Sequence, residues 1–328
     1  MRRDGIVGYA ASRVLTSPLI ALGAIALLFA LTLLVPGDPA TTLLGPRATP
    51  EAIAALRDRM GLDQPVLVRL LRFLWQVVHG DLGTDVISGR SVASMVGDAL
   101  PATLILTLAS LGLAAALGIP LGCYAATHPG GFLDRVSAIV SVSIIAVPSY
   151  VVAIFLLLVF TLWLGWLPAL GTGEGGDWLD AARRLILPTI ALAAGWVGYL
   201  ARLTRASLIE VLGEAHIRTM RAFGLSERLI VYKYALKAAL SPVLAVLGLG
   251  IGKLLGGAVF IEIVFARPGI GKLLYEAIGV RNYPVVQGTV LVVVLLFVLA
   301  NLAVDLLHAW MDPRVRAALA ASGRPTAP

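Results

Sequence analysis

Residues 201–240 read ARLTRASLIEVLGEAHIRTMRAFGLSERLIVYKYALKAAL and form a long charged passage between two strongly apolar parts of the chain. Apolar residues recur at intervals of three to five along its first part, at Leu212, Ala215, Met220 and Phe223. This spacing predicts an amphipathic helix, and Glu214 and Arg218 lie on another of its faces in the order that favours an ion pair. Gly224 tolerates the left-handed backbone of a helix C-terminus, and Ser226 is a start signal for the next helix. The passage therefore predicts two short helices that meet at a glycine, although periodicity alone is equally consistent with a solvated loop.

The composition indicates a polytopic membrane protein. Of 328 residues, 59% are hydrophobic and only 14% are charged, far from the composition of an ordinary soluble domain. The single cysteine, Cys123, lies in an apolar run, which excludes a disulfide framework and a thiolate metal site. The four histidines show no ligand spacing: His79, His128, His216 and His308. We therefore expect no metal site and no cofactor bound by this chain.

Apolar runs predict an all-α fold with six transmembrane helices. They cover residues 14–35, 102–126, 136–164, 185–201, 238–261 and 284–307. A cleaved signal peptide is the alternative for the first run, but the charge-free stretch that contains it, residues 14–37, has 24 residues. That length exceeds the apolar core of about 7 to 15 residues that signal peptides have. Pro120 and Pro148 lie inside predicted spans, where a membrane helix absorbs a kink if its neighbours satisfy the freed carbonyl.

The predicted segments between the spans have their own signals. Residues 36–98 contain a helix start at Thr49-Pro50-Glu51 and a stop at Gly61. A second amphipathic helix is predicted over residues 66–78, where Trp75 suits a membrane interface. Residues 99–310 form the predicted core domain. Outside the spans we predict an N-terminal segment, a charged loop, an external loop and a tail: residues 1–13, 202–237, 262–283 and 311–328.

Charge decides which side of the membrane holds the termini. The segments on the side of the termini carry 14 basic and 6 acidic residues, whereas those on the opposite side carry 11 basic and 12 acidic residues. Basic residues accumulate on the cytoplasmic side of membrane proteins. Both termini and residues 202–237 are therefore predicted to be cytoplasmic, and residues 36–98 extracytoplasmic. The net charge of +7 gives no reason to expect a nucleic acid partner, because the membrane accounts for its distribution.

Gly224 also anchors a motif. Arg218-Thr219-Met220 precedes it, and Tyr234-Ala235-Leu236-Lys237 follows it after nine residues. This pattern resembles the coupling loop of ATP-binding-cassette (ABC) importer permeases, whose general form is Glu-Ala-Ala, three residues, Gly, nine residues and Ile-x-Leu-Pro. The chain departs from that form and is similar to the dipeptide, oligopeptide and nickel permeases, in which Arg-Thr-Ala replaces Glu-Ala-Ala and the closing proline is displaced, here to Pro242.

Other short motifs typical of that family follow one another along nearly the whole chain. They are Gly37-Asp38-Pro39-Ala40, Gly61-Leu62-Asp63-Gln64-Pro65, Gly80-Asp81-Leu82-Gly83, Gly118-Ile119-Pro120-Leu121-Gly122, Pro268-Gly269-Ile270-Gly271, Tyr283-Pro284-Val285-Val286-Gln287-Gly288 and Asp312-Pro313-Arg314-Val315-Arg316. Asn282 is a departure, because the family tends to have an aspartate there. The order of the motifs resembles the B-type permease, which carries a long external loop after its first helix.

The resemblance implies a type I importer permease in the cytoplasmic (inner) membrane that works by alternating access. Its expected partners are a second homologous permease, two cytoplasmic ATP-binding subunits that use ATP and Mg²⁺, and an extracytoplasmic substrate-binding protein. Expected substrates are dipeptides or oligopeptides, or a related solute such as a nickel complex or glutathione. The resemblance places ATPase coupling at Glu214, Arg218, Thr219, Arg221, Gly224 and Leu225. It places the external gate at Glu262, Pro268, Gly269 and Gly271, whereas Lys253 is a departure from the small or polar residue that the family usually has at its position.

Lys253 and Asp305 are the only charged residues inside the predicted spans. Two charges are few for the ion relay of a secondary transporter or channel, which is the alternative function. Lys253 lies roughly 22 Å above the start of its span at 1.5 Å per residue, whereas Asp305 lies near the cytoplasmic end of the last span. We therefore predict that they are not partners and that Lys253 lines the path, where it attracts an anionic group. Outward snorkelling, or pairing with the other permease, is the alternative.

The remaining motifs exclude catalysis by this chain. Gly252-Lys253-Leu254 and Gly271-Lys272-Leu273 lack the Ser or Thr of a phosphate-binding loop, and no nucleophile and base pattern of an intramembrane enzyme is present. We therefore expect a permease that does not hydrolyse ATP itself.

Pro268-Gly269-Ile270-Gly271 is predicted to be a turn rather than a helix, either a re-entrant external gate or an ordinary surface turn.

Overall fold

The computed structural model describes residues 4–34, 37–45, 47–168, 170–173 and 177–311. These residues are almost entirely helical, and an isolated antiparallel bridge between Thr84 and Ser91 is the only β contact among them. In chain order the helices are α1 (Asp4–Leu34), α2 (Pro39–Leu44), α3 (Pro50–Met60), α4 (Val66–Val78), α5 (Val92–Thr127), α6 (Phe132–Ala146), α7 (Ser149–Leu156), α8 (Trp178–Leu212), α9 (Ala215–Ala222), α10 (Glu227–Leu229), α11 (Leu236–Val264), α12 (Ile270–Gly279) and α13 (Tyr283–Met311). Two π-helical segments, Leu157–Trp163 and Ile230–Ala235, follow α7 and α10.

Among the residues that the structure describes, four helical segments are long and apolar enough to cross a membrane: Val92–Thr127, Trp178–Leu212, Glu227–Val264 and Tyr283–Ala303. Two further stretches, Asp134–Ala146 of α6 and Ser149–Trp163, which is α7 with the π-helical segment after it, are long and apolar enough only when taken together. They make a fifth span if they form one bent span. The apolar part of α1, Pro18–Thr32, is shorter than these four segments. The six predicted spans therefore fall on α1, α5, the pair of α6 and α7, α8, α11 and α13.

The third predicted span, residues 136–164, is not one kinked helix, and that prediction was wrong. The chain is broken between α6 and α7, and the two parts are bent by 101°. Val147 has an extended backbone, with φ −89° and ψ 123°, because a residue that precedes proline is driven out of the helical region. Pro148 then supplies no N–H to the preceding turn. By contrast, Pro120 lies inside α5 without ending it.

The helix α8 is longer than predicted and includes the first part of the predicted loop 202–237. It extends over 35 residues. Arg205, in the added part, donates to both carboxylate oxygens of Asp134 at the start of α6, at 2.6 and 3.0 Å. The N–H of Gly130 donates to the same carboxylate at 2.9 Å. A charged helix can continue into water because it satisfies its own backbone, and this ion pair holds the extension against α6.

The chain divides into two compact units, residues 1–9, 104–267 and 300–328 on the one hand and residues 10–103 and 268–299 on the other. In the first unit the core is built around α8, whose Leu187 and Leu192 pack with Leu254 and Ile261 of α11. A second cluster lies where α8 ends, around Leu208.

Small residues allow the helices of the first unit to approach closely. A Cβ at Gly118 would lie 2.9 Å from the carbonyl oxygen of Val197, and one at Gly122 would collide with that of Ala201. The family motif of residues 118–122 is therefore a packing motif in which glycines four residues apart bring α5 against α8.

In the second unit, α3 and α4 confirm the predicted helix signals. The hydroxyl of Thr49 accepts a hydrogen bond from the N–H of Ala52 at 3.3 Å, and Gly61 ends α3 with φ +62°. The bounds of α4 are those predicted, Val66–Val78. Phe73 on α4 packs with Phe29 of α1 in a buried cluster.

Candidate functional site

The candidate coupling segment comprises residues 213–235. After α8 ends at Leu212, Glu214 has an extended backbone with ψ 154° and begins α9 as its N-cap. Gly224 follows the C-cap of α9 with φ +77°, the left-handed conformation that was predicted. The N–H of Leu225 donates to the carbonyl of Met220 at 3.3 Å, which is the longer hydrogen bond of a Schellman motif. The predicted arrangement of two helices joined at a glycine is present.

The buried face of α9 differs from the predicted one. Ile217 is completely buried among Leu208, Ile230 and other residues of the cluster at the end of α8. Phe223 is 79% exposed, and Ala215 is exposed as well. The predicted apolar stripe was wrong at Ala215 and Phe223, whereas Leu212 and Met220 do pack against this cluster. The stripe was counted from Leu212 across Glu214, where the extended backbone interrupts the helical phase.

The predicted ion pair between Glu214 and Arg218 is not formed. Glu214 instead lies 3.0 Å from Nδ1 of His216, and Arg218 donates to the carbonyl oxygen of Gly213 at 3.1 Å. As an N-cap, Glu214 precedes the first turn of α9, so the regular geometry of an i,i+4 pair does not apply to it. Arg218 covers the end of α8 and joins it to α9.

The other predicted coupling residues close the corner. Arg221 donates to Glu227 on α10, with 2.7 Å between Nε and Oε1. Thr219 donates its hydroxyl to the carbonyl oxygen of Ala215 at 3.1 Å. Leu225 is half-buried against the cluster that holds Ile217. All six predicted coupling residues therefore lie together, around a corner whose inner side is packed and whose outer side is open.

Lys253 lines a separate cavity of about 330 Å³ in the first unit. Trp196 and Tyr199 of α8 contribute aromatic rings to it, and the break between α6 and α7 contributes Val147 and Ser149. Irregular backbone at membrane depth is tolerated where it lines a cavity. Within the described residues no carboxylate forms an ion pair with Lys253. The side chain of Asp305 lies outside those described, so the predicted separation of the two charges stays a prediction.

The predicted external loop 262–283 contains less irregular chain than expected. Glu262 belongs to α11 and is completely buried. Pro268-Gly269-Ile270-Gly271 is not wholly a turn, because α12 begins at Ile270 and includes Gly271. Gly269 is its N-cap, and the N–H of Ile270 donates to the hydroxyl of Thr103 at 2.8 Å. The Thr103 hydroxyl thus satisfies a backbone N–H at the start of α12. A helix can therefore begin in this glycine-rich sequence, which was predicted to be a turn.

Two functional candidates were missed by the sequence analysis. Arg267 is only 4% exposed, and its backbone N–H donates to the carbonyl oxygen of Glu262 at 2.8 Å. Burial lowers the pKa of Arg267, while the charge of Glu262 opposes that shift. A charge placed five residues after Glu262 and directly before Pro268 was the available signal.

The second missed residue is Asp85, the partner of Asn282. The amide nitrogen of Asn282 donates to Oδ1 of Asp85, and both side chains are buried. Asp85 also accepts from the N–H groups of Ile87 and Ser88, each at 3.0 Å. Burial alone would raise the pKa of Asp85, but hydrogen bonds from Ser88, Ile87 and Asn282 outweigh it and lower the pKa.

Sequence comparison shows which proteins this chain is similar to. Residues 118–317 match the family described as "Binding-protein-dependent transport system inner membrane component", and residues 6–107 match the corresponding N-terminal family. A dipeptide transport system permease, DppB of Alkalihalophilus pseudofirmus, is 36% identical over 95% of this chain and 100% of its own length. A glutathione transport system permease, GsiC of Salmonella paratyphi A, is 39% identical over 88% of this chain and 92% of its own.

Structural comparison agrees on the fold. A chain of the MetNI methionine ABC transporter in an inward-facing conformation superposes with a TM-score of 0.54 at 23% identity. The match covers 66% of this chain and 96% of the other.

Proposed function

Because the chain belongs to the family of inner membrane components of binding-protein-dependent transport systems, we propose that it is the B-type permease of an importer for peptides or closely related small solutes. The chain is a multi-pass permease subunit of an ABC importer with the type I fold. Peptides are proposed as the substrate because the relatives include a dipeptide permease and a glutathione permease, and glutathione is itself a small peptide.

We propose that α9 is the element that an ATPase subunit grips. The observation that carries this proposal is the division of α9 into two faces. Ile217 is fully buried, whereas Phe223 is 79% exposed beside Gly224. An exposed aromatic side chain at a rigid corner is the kind of anchor that fills a pocket on a partner. Motion imposed on Phe223 would reach α8 and α11 through the cluster that holds Ile217.

The proposed assembly contains this chain, a second homologous permease, two ATP-binding subunits and an extracytoplasmic binding protein in the inner membrane. ATP and Mg²⁺ are used by the ATP-binding subunits, and this chain binds no cofactor. The importer family supports partners of these kinds. The heterodimer and the number of each subunit are part of the proposal.

We propose that the cavity at Lys253 belongs to the translocation path and that Lys253 attracts an anionic group of the substrate. An intramembrane lysine with no ion pair among the described residues favours a wet cavity over lipid, and Trp196 and Tyr199 add surfaces that pack with side chains. In the proposed gate, Pro268 and Gly269 precede α12, and Gly271 lies in its first turn. The complete burial of Glu262 favours a structural role beside Arg267 over contact with substrate.

The test is reconstitution. The two permeases and the ATPase subunits are placed in proteoliposomes with the binding protein, and uptake of labelled dipeptides, glutathione and a nickel complex is compared with and without ATP. We expect uptake of a peptide that requires ATP, the binding protein and this chain together. Uptake by this chain without ATPase subunits would contradict the proposal and favour a secondary transporter or channel.

A further inference from the structure

The second unit contains a cavity of about 230 Å³ that no step of transport described above uses. Its walls come from α3, α4, the loop after α4 and the start of α13. Arg59, Arg69 and Arg72 line it on one side. Phe29 and Phe73 provide an apolar floor, and Tyr283 and Gln287, both buried, complete the wall.

The arginines of this cavity lack acidic partners. Within the described residues, no carboxylate lies within 4.0 Å of Arg59, Arg69 or Arg72. The nearby Arg57 behaves differently and pairs with Asp38 and Asp63 at 3.6 and 3.3 Å. The guanidinium of Arg69 is half-buried, and that burial lowers its pKa. A charge in that position is stabilised by an anion.

The acidic group on the wall does not neutralise the cavity. Oδ1 of Asp81 accepts a hydrogen bond from the N–H of Gly83 at 2.8 Å, so this carboxylate serves its own loop. Three positive groups against one negative group leave the cavity positively charged. An anionic occupant is therefore favoured, because the net charge of the lining is positive.

The outer face of α4, which does not line the cavity, carries an apolar stripe. Leu67, Leu71, Trp75 and Val78 are 65%, 58%, 69% and 81% exposed. Because these positions are three or four residues apart, they lie along one side of the helix. A helix with arginines on one side and exposed Leu and Trp on another is typical of the boundary between headgroups and acyl chains. The two faces together match a molecule that has an anionic head and an apolar tail.

We propose that this cavity binds the phosphate headgroup of an anionic phospholipid, with Arg69 and Arg72 donating to the phosphate and the stripe of α4 lying beside the acyl chains. The planar guanidinium can donate to two phosphate oxygens at once. A soluble anion would satisfy the arginines equally well but would leave the apolar stripe uncovered. The bound lipid attaches α4 to the membrane surface next to α1, the first predicted span. Phe29 of α1 lines the cavity.

The test uses the full-length chain in nanodiscs of phosphatidylcholine that contain a minor fraction of phosphatidylglycerol. Lipids that stay bound are then identified by native mass spectrometry. We expect wild type to retain phosphatidylglycerol in preference to phosphatidylcholine. Arg69→Gln and Arg72→Gln should each reduce that preference roughly tenfold, because each removes a charged hydrogen bond donor. Arg69→Lys, which keeps the charge but loses the planar fork, should fall between wild type and Arg69→Gln.

Arg47→Gln is the matched control. Arg47 is an exposed arginine between α2 and α3, in the same predicted external segment 36–98, and it does not line the cavity. It should leave the lipid preference unchanged. Equal retention of the two lipids by wild type overturns the proposal. This result depends on no variant, so it is decisive even if one of the variants fails to fold. A loss in Arg47→Gln as large as in Arg69→Gln also overturns it. Displacement of the lipid by inorganic phosphate would show a free-anion site and overturn the assignment to lipid.

Discussion

Arg221 on α9 and Glu227 on α10 form an ion pair across the corner at Gly224, with nitrogen to oxygen distances of 2.7 and 3.4 Å. Both side chains are largely exposed, and exposed pairs contribute only about 0.2–1 kcal/mol. Burial of a side chain such as Ile217 contributes about 1.5–3 kcal/mol. The ion pair therefore orients the two helices, whereas the glycine backbone and the buried isoleucine determine that the corner exists.

Replacing Gly224 by Val should uncouple transport from ATP hydrolysis. A β-branched residue at φ +77° is strained by about 1–2 kcal/mol or more, so the corner opens and α9 no longer meets its partner at the right angle. We expect uptake in proteoliposomes to fall while hydrolysis by the ATPase subunits persists. Gly279→Val is the control, because Gly279 has open space around it and no positive φ. Undiminished uptake in Gly224→Val would refute the role of this corner.

Phe223 and Ile217 should separate binding from stability. Phe223→Ala removes an exposed side chain, so we expect unchanged thermal stability and affinity for the ATPase subunit reduced by about 1–4 kcal/mol if it is an anchor. Ile217→Ala removes a fully buried one and should lower stability by about 2–5 kcal/mol. Thermal unfolding in detergent and titration with the purified ATPase subunit distinguish the two effects. If Phe223→Ala binds the ATPase like wild type, α9 does not dock through this residue.

Lys253→Met should change which substrates are carried. Loss of the positive charge removes an attraction for anionic groups, so uptake of an acidic peptide should fall roughly tenfold and uptake of a basic peptide should not fall. The neutral peptide is the internal control. Equal losses for all three substrates would show that Lys253 supports the structure of the cavity rather than charge selection.

The attachment of Asp85 to Asn282 should weaken in acid. Because the pKa of Asp85 is lowered in the folded chain, its contribution to stability is complete above the ordinary pKa of 3.8 and is lost as the pH falls through the lower folded value. Amide hydrogen exchange at Asp85 and Val92 reports the loop. We expect protection at neutral pH and faster exchange, after correction for intrinsic rates, in strong acid.

Asn282→Asp should reverse that trend. It places a second carboxylate against Asp85, and two adjacent carboxylates raise the pKa of one of them. The loop should therefore exchange faster than wild type at neutral pH and regain protection as the pH falls towards the raised pKa. Asn282→Ala is the control, because it removes the donor without adding charge and should keep the pH trend of wild type. Identical pH trends in Asn282→Asp and Asn282→Ala would argue against direct contact.

Gly122 and Gly112 on α5 should respond in opposite ways to alanine. A helical Gly→Ala change usually stabilises by up to about 1 kcal/mol, and the site of Gly112 is open. At Gly122 the new Cβ would meet Ala201 and Thr204, so we expect a net loss of about 1–3 kcal/mol. Unfolding of the two variants in mixed micelles measures the difference. Equal stability of the two would show that α5 and α8 are not closely packed there.

The sequence predicted the elements whose signals are local. The caps of α3, the bounds of α4 and the left-handed Gly224 each depend on residues a few positions apart, and all three are present. The family motifs identified the fold because they follow one another along the chain in the order that is typical of the permease family. The six residues predicted to couple transport to the ATPase lie around one corner, since they fall within twelve positions of one another; their role in coupling stays a prediction.

The rest depends on contacts between distant residues. Ile217 is buried because the helix phase restarts after Glu214, and no periodicity that includes Leu212 reveals that. Asp85 meets Asn282 across 197 positions, and Thr103 caps α12 across 167. Pro148 was a local signal for a disturbed third span, but the 101° bend between α6 and α7 could not be read from it. Single-residue signals gave no access to these pairings.

The close approach of Gly118 and Gly122 to α8 has a mechanical consequence. The carbonyl oxygen of Ala201 lies where a side chain on α5 would otherwise be, so α5 cannot slide along α8 without a steric clash. The 35 residues of α8 form a rod of about 50 Å. If an ATPase subunit pushes on α9 as proposed, α8 and the part of α5 packed against it should tilt together, as one lever that is stiffer than either helix alone.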